Sequence, residues 1–134
     1  MKQRIAHVTD IHWMVQPPLA RLPGKRLIGS ANLYLRGRRS HFCENVQSEL
    51  MRHVLRLKPD ALLISGDLTA QALPAEFEKA KRELQPVLEA IPTFLINGNH
   101  DVYTVGAQKE RRIEQYFFDF MHWSGDLQVW NTDE

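Results

Sequence analysis

The sequence predicts an α/β fold with a mainly parallel sheet and flanking helices. Three short apolar segments, within residues 4–10, 60–69 and 92–101, have the length and composition of buried strands. Segments with the apolar period of an amphipathic helix lie between and after them. Apolar strands that alternate with helices are typical of parallel sheets covered on at least one face. The chain has 134 residues, which fits one domain.

The first strand is predicted in the segment RIAHVTD, residues 4–10. From Trp13 to Ser40, prolines and glycines are too frequent for a long regular element. The first helix is predicted after this region, because apolar residues recur there every three or four positions. They are Phe42, Val46, Leu50, Val54 and Leu57.

Pro59 ends this helix, and DALLISGDLT, residues 60–69, is predicted as a buried strand followed by a polar loop. The second helix is predicted to begin near Pro74, which suits a first helical turn, and Pro86 is expected to disturb its end. A third strand is predicted in residues 92–101, followed by a third helix and then a turn with the start of a strand. The apolar stripes of these two helices are Phe77, Ala80, Leu84 and Leu88, and Ile113, Tyr116, Phe117, Phe120 and Met121.

Polar side chains follow each of the three predicted strands. The first strand is followed by Asp10 and His12, the second by Asp67, and the third by Asn-His-Asp at residues 99–101. Carboxyl ends of neighbouring parallel strands lie side by side, and open α/β folds bind their ligands at this edge. We therefore expect these residues to share one site.

The residue types indicate a metal site. Asp10 and His12 are two positions apart, so they point the same way if strand geometry persists. Asp67 has two oxygens that can bridge two ions, and Asn99 offers a neutral amide oxygen. Oxygen and nitrogen donors without a thiolate suit Mn, Fe or Zn. Two such ions, about 3.5–4 Å apart, can activate a bridging water and clamp a phosphoester.

His100 and Asp101 are candidate catalytic residues. His100 is placed to donate a hydrogen bond or a proton to a phosphoryl oxygen or leaving group, and Asp101 could hold that imidazole in the required tautomer. Each residue alone also has a structural explanation, since Asp10 and Asp67 can cap turns or helices and NGN is an ordinary turn sequence. Their occurrence together at three strand ends favours a site.

These motifs resemble those of the calcineurin-like metallophosphoesterase family. The matching blocks are D-x-H at residues 10–12, G-D at residues 66–67 and G-N-H-D at residues 98–101. The resemblance implies that the chain forms the first half of a four-layer α/β/β/α sandwich. It also implies that Asp10 and His12 bind a first metal ion. The remaining implied roles are a bridge between two ions for Asp67, the second metal for Asn99, phosphoryl transfer for His100, and a supporting position behind it for Asp101.

The chain departs from the family pattern at one point. The later histidine and the G-H-x-H block, which complete both metal shells, are absent. His122 is the one histidine after His100, and its surroundings predict the end of a helix rather than a ligand. We therefore expect residues 1–134 to be a C-terminally incomplete domain with an incomplete metal shell. Its sheet should expose an apolar face that the missing half would cover.

The expected function is that of a hydrolase, a metal-dependent phosphoesterase. It would cleave a phosphomonoester or phosphodiester by attack of a hydroxide bound to two divalent ions. The alternative is a catalytically incompetent fragment that binds metal weakly or serves as an interaction module. The sequence leaves the substrate, the native metals and the oligomeric state open.

Charge is balanced over the whole chain, with a formal net charge of +1, but it is uneven locally. Residues 16–40 carry six basic and no acidic side chains. This basic insert is either a solvated loop or a functional segment, a lid or a membrane-surface contact, whose charge attracts a polyanionic substrate, nucleic acid or an anionic lipid surface. No obligate protein partner is evident. Because the chain shows no signal-peptide pattern or membrane-length apolar run, we expect a cytoplasmic protein, with peripheral membrane contact through the insert as an open alternative.

Overall fold

A computed structural model describes residues 3–15 and 44–121, together with the backbone of residues 123–124 and 127–128. The basic insert predicted at residues 16–40 and the side chain of His122 lie outside the described residues. The elements are β1 (Ile5–Val8), α1 (Glu44–Leu57), β2 (Ala61–Ile64), α2 (Pro74–Ala90), β3 (Thr93–Leu95), α3 (Val105–Lys109), α4 (Arg112–Phe117), a 3-10 turn (Phe118–Phe120), β4 (Trp123–Ser124) and β5 (Leu127–Gln128).

The first three strands form one parallel sheet in the order β1-β2-β3. Val8, Ile64 and Leu95 lie side by side near the carboxyl ends of the three strands. The loops that follow the strands therefore leave the sheet at one edge. The predicted α/β fold with a mainly parallel sheet and flanking helices is confirmed.

One face of this sheet packs against the helices. Leu62, Ile64 and Leu95 on this face are at most 1% exposed. They belong to one apolar core together with side chains of α1, α2 and α4. Burial of such aliphatic side chains contributes roughly 1.5–3 kcal/mol each relative to exposure. Packing of this face against the helices fixes the position of the sheet and of its carboxyl edge.

The opposite face of the sheet is open in the part of the chain that the structure describes. Ile5 is 51% exposed, and Leu63, Phe94 and Ile96 are only half-buried. The alternation of side chains along a strand puts these residues on the face away from the helices. This is the apolar face that the sequence led us to expect.

Helix α1 buries a different face from the one predicted. Of the predicted apolar stripe, Val46 is 65% exposed, Leu50 36% and Leu57 48%. Among the described residues of that stripe, Val54 alone is buried. The buried face also includes Met51. The apolar spacing therefore predicted the helix correctly but assigned the wrong side of it to the core.

The physical reason is a buried polar residue, Gln47. Its side-chain amide donates hydrogen bonds to the backbone carbonyls of Ile11 and His12, the latter at 2.8 Å. These bonds turn Gln47 and Met51 inwards, since the two residues lie one helical turn apart. A count of apolar residues could not have found this, because the residue that orients the helix is polar.

Helix α2 continues through Pro86 to Ala90, four residues further than the proline suggests. A proline removes one backbone hydrogen bond and crowds the preceding turn. Here Leu84 and Val87 on either side of Pro86 are fully buried, and their packing keeps the last turn helical.

The predicted third helix, whose apolar stripe runs from Ile113 to Met121, corresponds to α4 and the 3-10 turn, and α3 before it was not predicted. Helices α3 and α4 meet at Arg111, whose backbone is left-handed with φ 47°, so one continuous helix cannot form there. The expected turn and strand start that follow are a short antiparallel pair, β4 and β5.

No helix in the described ranges is long and apolar enough to cross a bilayer.

Candidate metal centre

Three of the predicted site residues meet at the carboxyl edge of the sheet. His12, Asp67 and His100 follow β1, β2 and β3, and each offers a ligand atom within 4.8 Å of the others. Metal–ligand distances of roughly 2.0–2.2 Å place two donors on one ion at most about 4.4 Å apart. The group is therefore close to the dimensions of a metal shell.

Two glycines allow the loops after β2 and β3 to touch. A Cβ on Gly66, which has φ 85°, would lie 2.1 Å from the Gly98 nitrogen, and a Cβ on Gly98 would lie 2.1 Å from Asp67 Oδ1. No side chain fits in either place. The close approach lets the His100 backbone N–H donate to Asp67 Oδ1 at 2.8 Å, which joins two of the three residues of this group.

The backbone is left-handed at three predicted metal ligands, with φ 55° at Asp10, 53° at His12 and 54° at Asp67. This conformation costs a residue with a side chain roughly 1–2 kcal/mol. Residues held in such conformations cluster at functional sites. The strand geometry assumed for Asp10 and His12 does not persist. Their side chains nevertheless face each other, with Asp10 Oδ1 3.6 Å from His12 Nε2.

Backbone hydrogen bonds between the loops after β1 and β2 maintain this strained geometry. The His12 N–H donates to the Asp67 carbonyl at 2.9 Å, and the Trp13 N–H donates to the Leu68 carbonyl at 2.7 Å. Trp13 and Leu68 are at most 1% exposed, so the core anchors the second of these bonds. The loops after β1 and β2 are therefore tied to each other by backbone hydrogen bonds.

Both histidines are held with Nδ1 as the donor, so that Nε2 can bind a metal ion in the neutral ring or donate to a phosphoryl oxygen in the protonated ring. His12 Nδ1 is 3.1 Å from the Thr69 carbonyl, and His100 Nδ1 is 2.8 Å from the Ala70 carbonyl. A carbonyl can only accept, so Nδ1 donates in each ring and Nε2 keeps its lone pair in the neutral form. The role of Thr69 and Ala70 could not be recognised from the sequence, because their backbone oxygens perform it and side-chain type gives no signal for it.

Asp101 does not orient His100, contrary to the expectation from the sequence. Its Oδ1 accepts from the Thr69 N–H at 2.9 Å and from the Thr69 hydroxyl at 3.1 Å, and its Oδ2 accepts from the Gly98 N–H at 3.0 Å. The tautomer of His100 is instead set by Ala70. Asp101 points into the protein, where it is fully buried, and it clamps the loop after β2 to the turn that carries His100.

The Asp101 carboxylate, which we call the loop clamp, is shielded from water. Burial raises the pKa of the Asp101 carboxyl, and hydrogen bonds from the backbone of Gly98 and Thr69 oppose that shift. The hydrogen bonds are needed because a buried acceptor without donors is costly.

Asp10 and Asn99 lie at the exposed rim of the group. The Asp10 side chain is 60% exposed, and its Oδ2 accepts a hydrogen bond from the Thr9 hydroxyl at 2.8 Å. Asn99 is exposed in the turn immediately before His100. Metal binding by these two residues stays a prediction.

Comparison with known proteins agrees with this geometry. The family model of the calcineurin-like phosphoesterases matches residues 3–133, a range that contains the three-stranded sheet and every residue of the candidate site. No protein of curated function matches the chain. Because the match extends over almost its whole length, the chain belongs to the calcineurin-like phosphoesterase family.

Proposed function

We propose that this protein hydrolyses a phosphomonoester or a phosphodiester with the help of two divalent metal ions. The observation that carries the proposal is the convergence of His12, Asp67 and His100 at one sheet edge in a member of a phosphoesterase family. Mn, Fe and Zn suit such a mixture of imidazole and carboxylate donors.

The donor groups fit metal ions. In the proposal Asp10 and His12 hold one ion, Asp67 holds both, and Asn99 holds the other. The lone pair on His12 Nε2, left by the bond from Nδ1 to Thr69, supports this role. Divalent ions in such a site lower the pKa of water and neutralise charge on the phosphoryl group.

His100 is the proposed catalytic imidazole. Its Nδ1 proton is committed to the Ala70 carbonyl, so proton exchange with the substrate has to use Nε2. In its protonated form the ring donates from Nε2 to the oxygen of the departing alcohol. Asp101 keeps the His100 turn against the loop after β2 and does not contact the substrate.

Hydrolysis of bis-p-nitrophenyl phosphate and p-nitrophenyl phosphate with Mn²⁺ tests the proposal. We expect Asp67→Asn and His100→Asn to lower kcat/KM about 100-fold or more. The matched controls are Asp119→Asn and His53→Asn, which change exposed residues of the same types and should leave the rate unchanged. Wild-type rates in both site variants would overturn the assignment.

The competing proposal is a fragment without activity that binds one ion weakly. Two observations favour it. Within the described ranges, only three His, Cys, Asp or Glu residues lie close enough together to share an ion, and one face of the sheet is open. Metal analysis after gel filtration separates the two proposals. Two retained ions per chain would support the enzyme, whereas a metal-free chain that regains no activity with Mn²⁺ would support the fragment.

A further inference from the structure

The His100 imidazole is held from three directions. Nδ1 bonds to the Ala70 carbonyl at 2.8 Å. His12 lies edge-on to the ring, with centroids 4.8 Å apart and planes at 79°. Tyr103 lies parallel to the ring, with centroids 5.8 Å apart and planes at 8°. The first two contacts belong to the candidate metal centre, whereas Tyr103 lies outside the group formed by His12, Asp67 and His100.

The local backbone produces this stack. The Tyr103 N–H donates to the His100 carbonyl at 3.3 Å, which closes a turn and brings the two side chains to the same side. Tyr103 is partly buried, so its ring is itself constrained by the protein. A constrained aromatic ring can constrain the ring on which it stacks.

We infer that the aromatic ring of Tyr103 positions the His100 imidazole for catalysis, an inference that rests on the proposed function. Among the described residues, the imidazole has the one hydrogen bond at Nδ1, which leaves it able to pivot about the direction of that bond, and Nε2 would move with it. A parallel ring against the imidazole restricts the pivot, because tilting either collides with the tyrosine or gives up its dispersion contact. The phenol hydroxyl is not required for this effect.

The first test compares kinetics of Tyr103→Leu and Tyr103→Phe toward bis-p-nitrophenyl phosphate with Mn²⁺. Tyr103→Leu removes the stacked ring and should lower kcat about 10–100-fold, the usual effect of a misplaced catalytic group, with KM changed far less. Tyr103→Phe keeps the ring and should retain nearly wild-type kcat. A large loss in Tyr103→Phe, or none in a folded Tyr103→Leu, would overturn the inference.

Tyr116 provides a matched control. It stacks on Phe77 with centroids 5.5 Å apart and planes at 13°, and Phe77 is part of the apolar core. Tyr116→Leu therefore removes a similar stack away from His100. It should lower stability without the selective loss of kcat, and an equal loss of kcat in both leucine variants would mean that the effect of Tyr103 is only structural.

A second test does not depend on activity. In the metal-free protein, the ring current of Tyr103 should shift the carbon-bound protons of His100 in the NMR spectrum. Tyr103→Phe should keep this shift, Tyr103→Leu should abolish it, and Tyr116→Leu should not affect it. If the wild-type chain hydrolyses neither ester, the proposed function fails, and the NMR result then decides separately whether Tyr103 holds the imidazole. Unchanged His100 signals in Tyr103→Leu would overturn that contact.

Discussion

The clamp formed by Asp101 gives the sharpest prediction, because the sequence and the structure assign different roles to this residue. In the wild-type protein, Asp101 Oδ2 accepts from the Gly98 N–H at 3.0 Å. In Asp101→Asn, one oxygen can still accept from Thr69, but an amide NH₂ takes the place of the oxygen that faces Gly98. Two donors then face each other, and the Gly98 N–H loses its acceptor. If Asp101 served His100 alone, the same substitution would leave the loops intact.

The expected loss of stability follows from that one bond. Leaving a buried donor without its acceptor costs roughly 1–3 kcal/mol. Burial raises the pKa of Asp101, so the wild-type carboxylate already bears a desolvation cost that asparagine does not, and this offsets part of the loss. We therefore expect Asp101→Asn to lower the free energy of unfolding by about 1–2 kcal/mol.

Urea unfolding of the metal-free chain, followed by circular dichroism, measures this change. Thr69→Val removes the hydroxyl that donates to Asp101 Oδ1 and should cost about 1 kcal/mol. Asp119→Asn is an exposed control, expected within about 0.5 kcal/mol of wild type. The loop clamp is refuted if Asp101→Asn unfolds like wild type while its kcat falls, since that pattern belongs to a residue that only supports His100.

Three further predictions concern strain, packing and pH. Asp10→Gly should be more stable than Asp10→Ala by about 0.5–1 kcal/mol, because only glycine adopts φ 55° without strain. At the exposed helical position Glu89, alanine should instead be more stable than glycine. The same order of alanine and glycine at both positions would contradict the reasoning. Gly98→Ala should weaken Mn²⁺ binding at least about 10-fold, measured by calorimetry, because its Cβ would lie 2.1 Å from Asp67 Oδ1; unchanged affinity would exclude the close contact. Burial and, to a lesser degree, the Glu78 carboxylate raise the pKa of Tyr116 above its ordinary value of 10.0. Above pH 10.0 the unfolded chain loses this proton first, so stability should fall as pH rises, and tyrosinate absorbance should show a late-titrating group that Tyr116→Phe removes.

The sheet and the position of the site could be predicted from the sequence, because both depend on short-range patterns. Apolar segments of strand length marked β1 to β3, and the polar residues after them identified the edge where ligands meet. His12, Asp67 and His100 are brought together as expected. Parallel order alone places them side by side, so no contact had to be known in advance.

The predictions that were wrong concern features set by polar or backbone groups, which leave no recognisable pattern in the sequence. The side of α1 that faces the core is set by hydrogen bonds from Gln47, which apolar spacing ignores. The imidazole tautomers are set by the carbonyls of Thr69 and Ala70, which any residue could supply. Asp101 follows His100 in sequence, but the turn directs its carboxylate inwards. Adjacency along the chain did not mean contact in space.

The open face of the sheet has a consequence for any segment that covers it. The three strands have only three or four residues each, so the sheet extends about 13 Å along the strand direction. A polypeptide layer seated over Ile5 and Phe94 would therefore end within a few residues of the ligand edge. For geometric reasons, a single covering segment could therefore both shield these apolar side chains from water and bring further donor groups to the candidate metal centre.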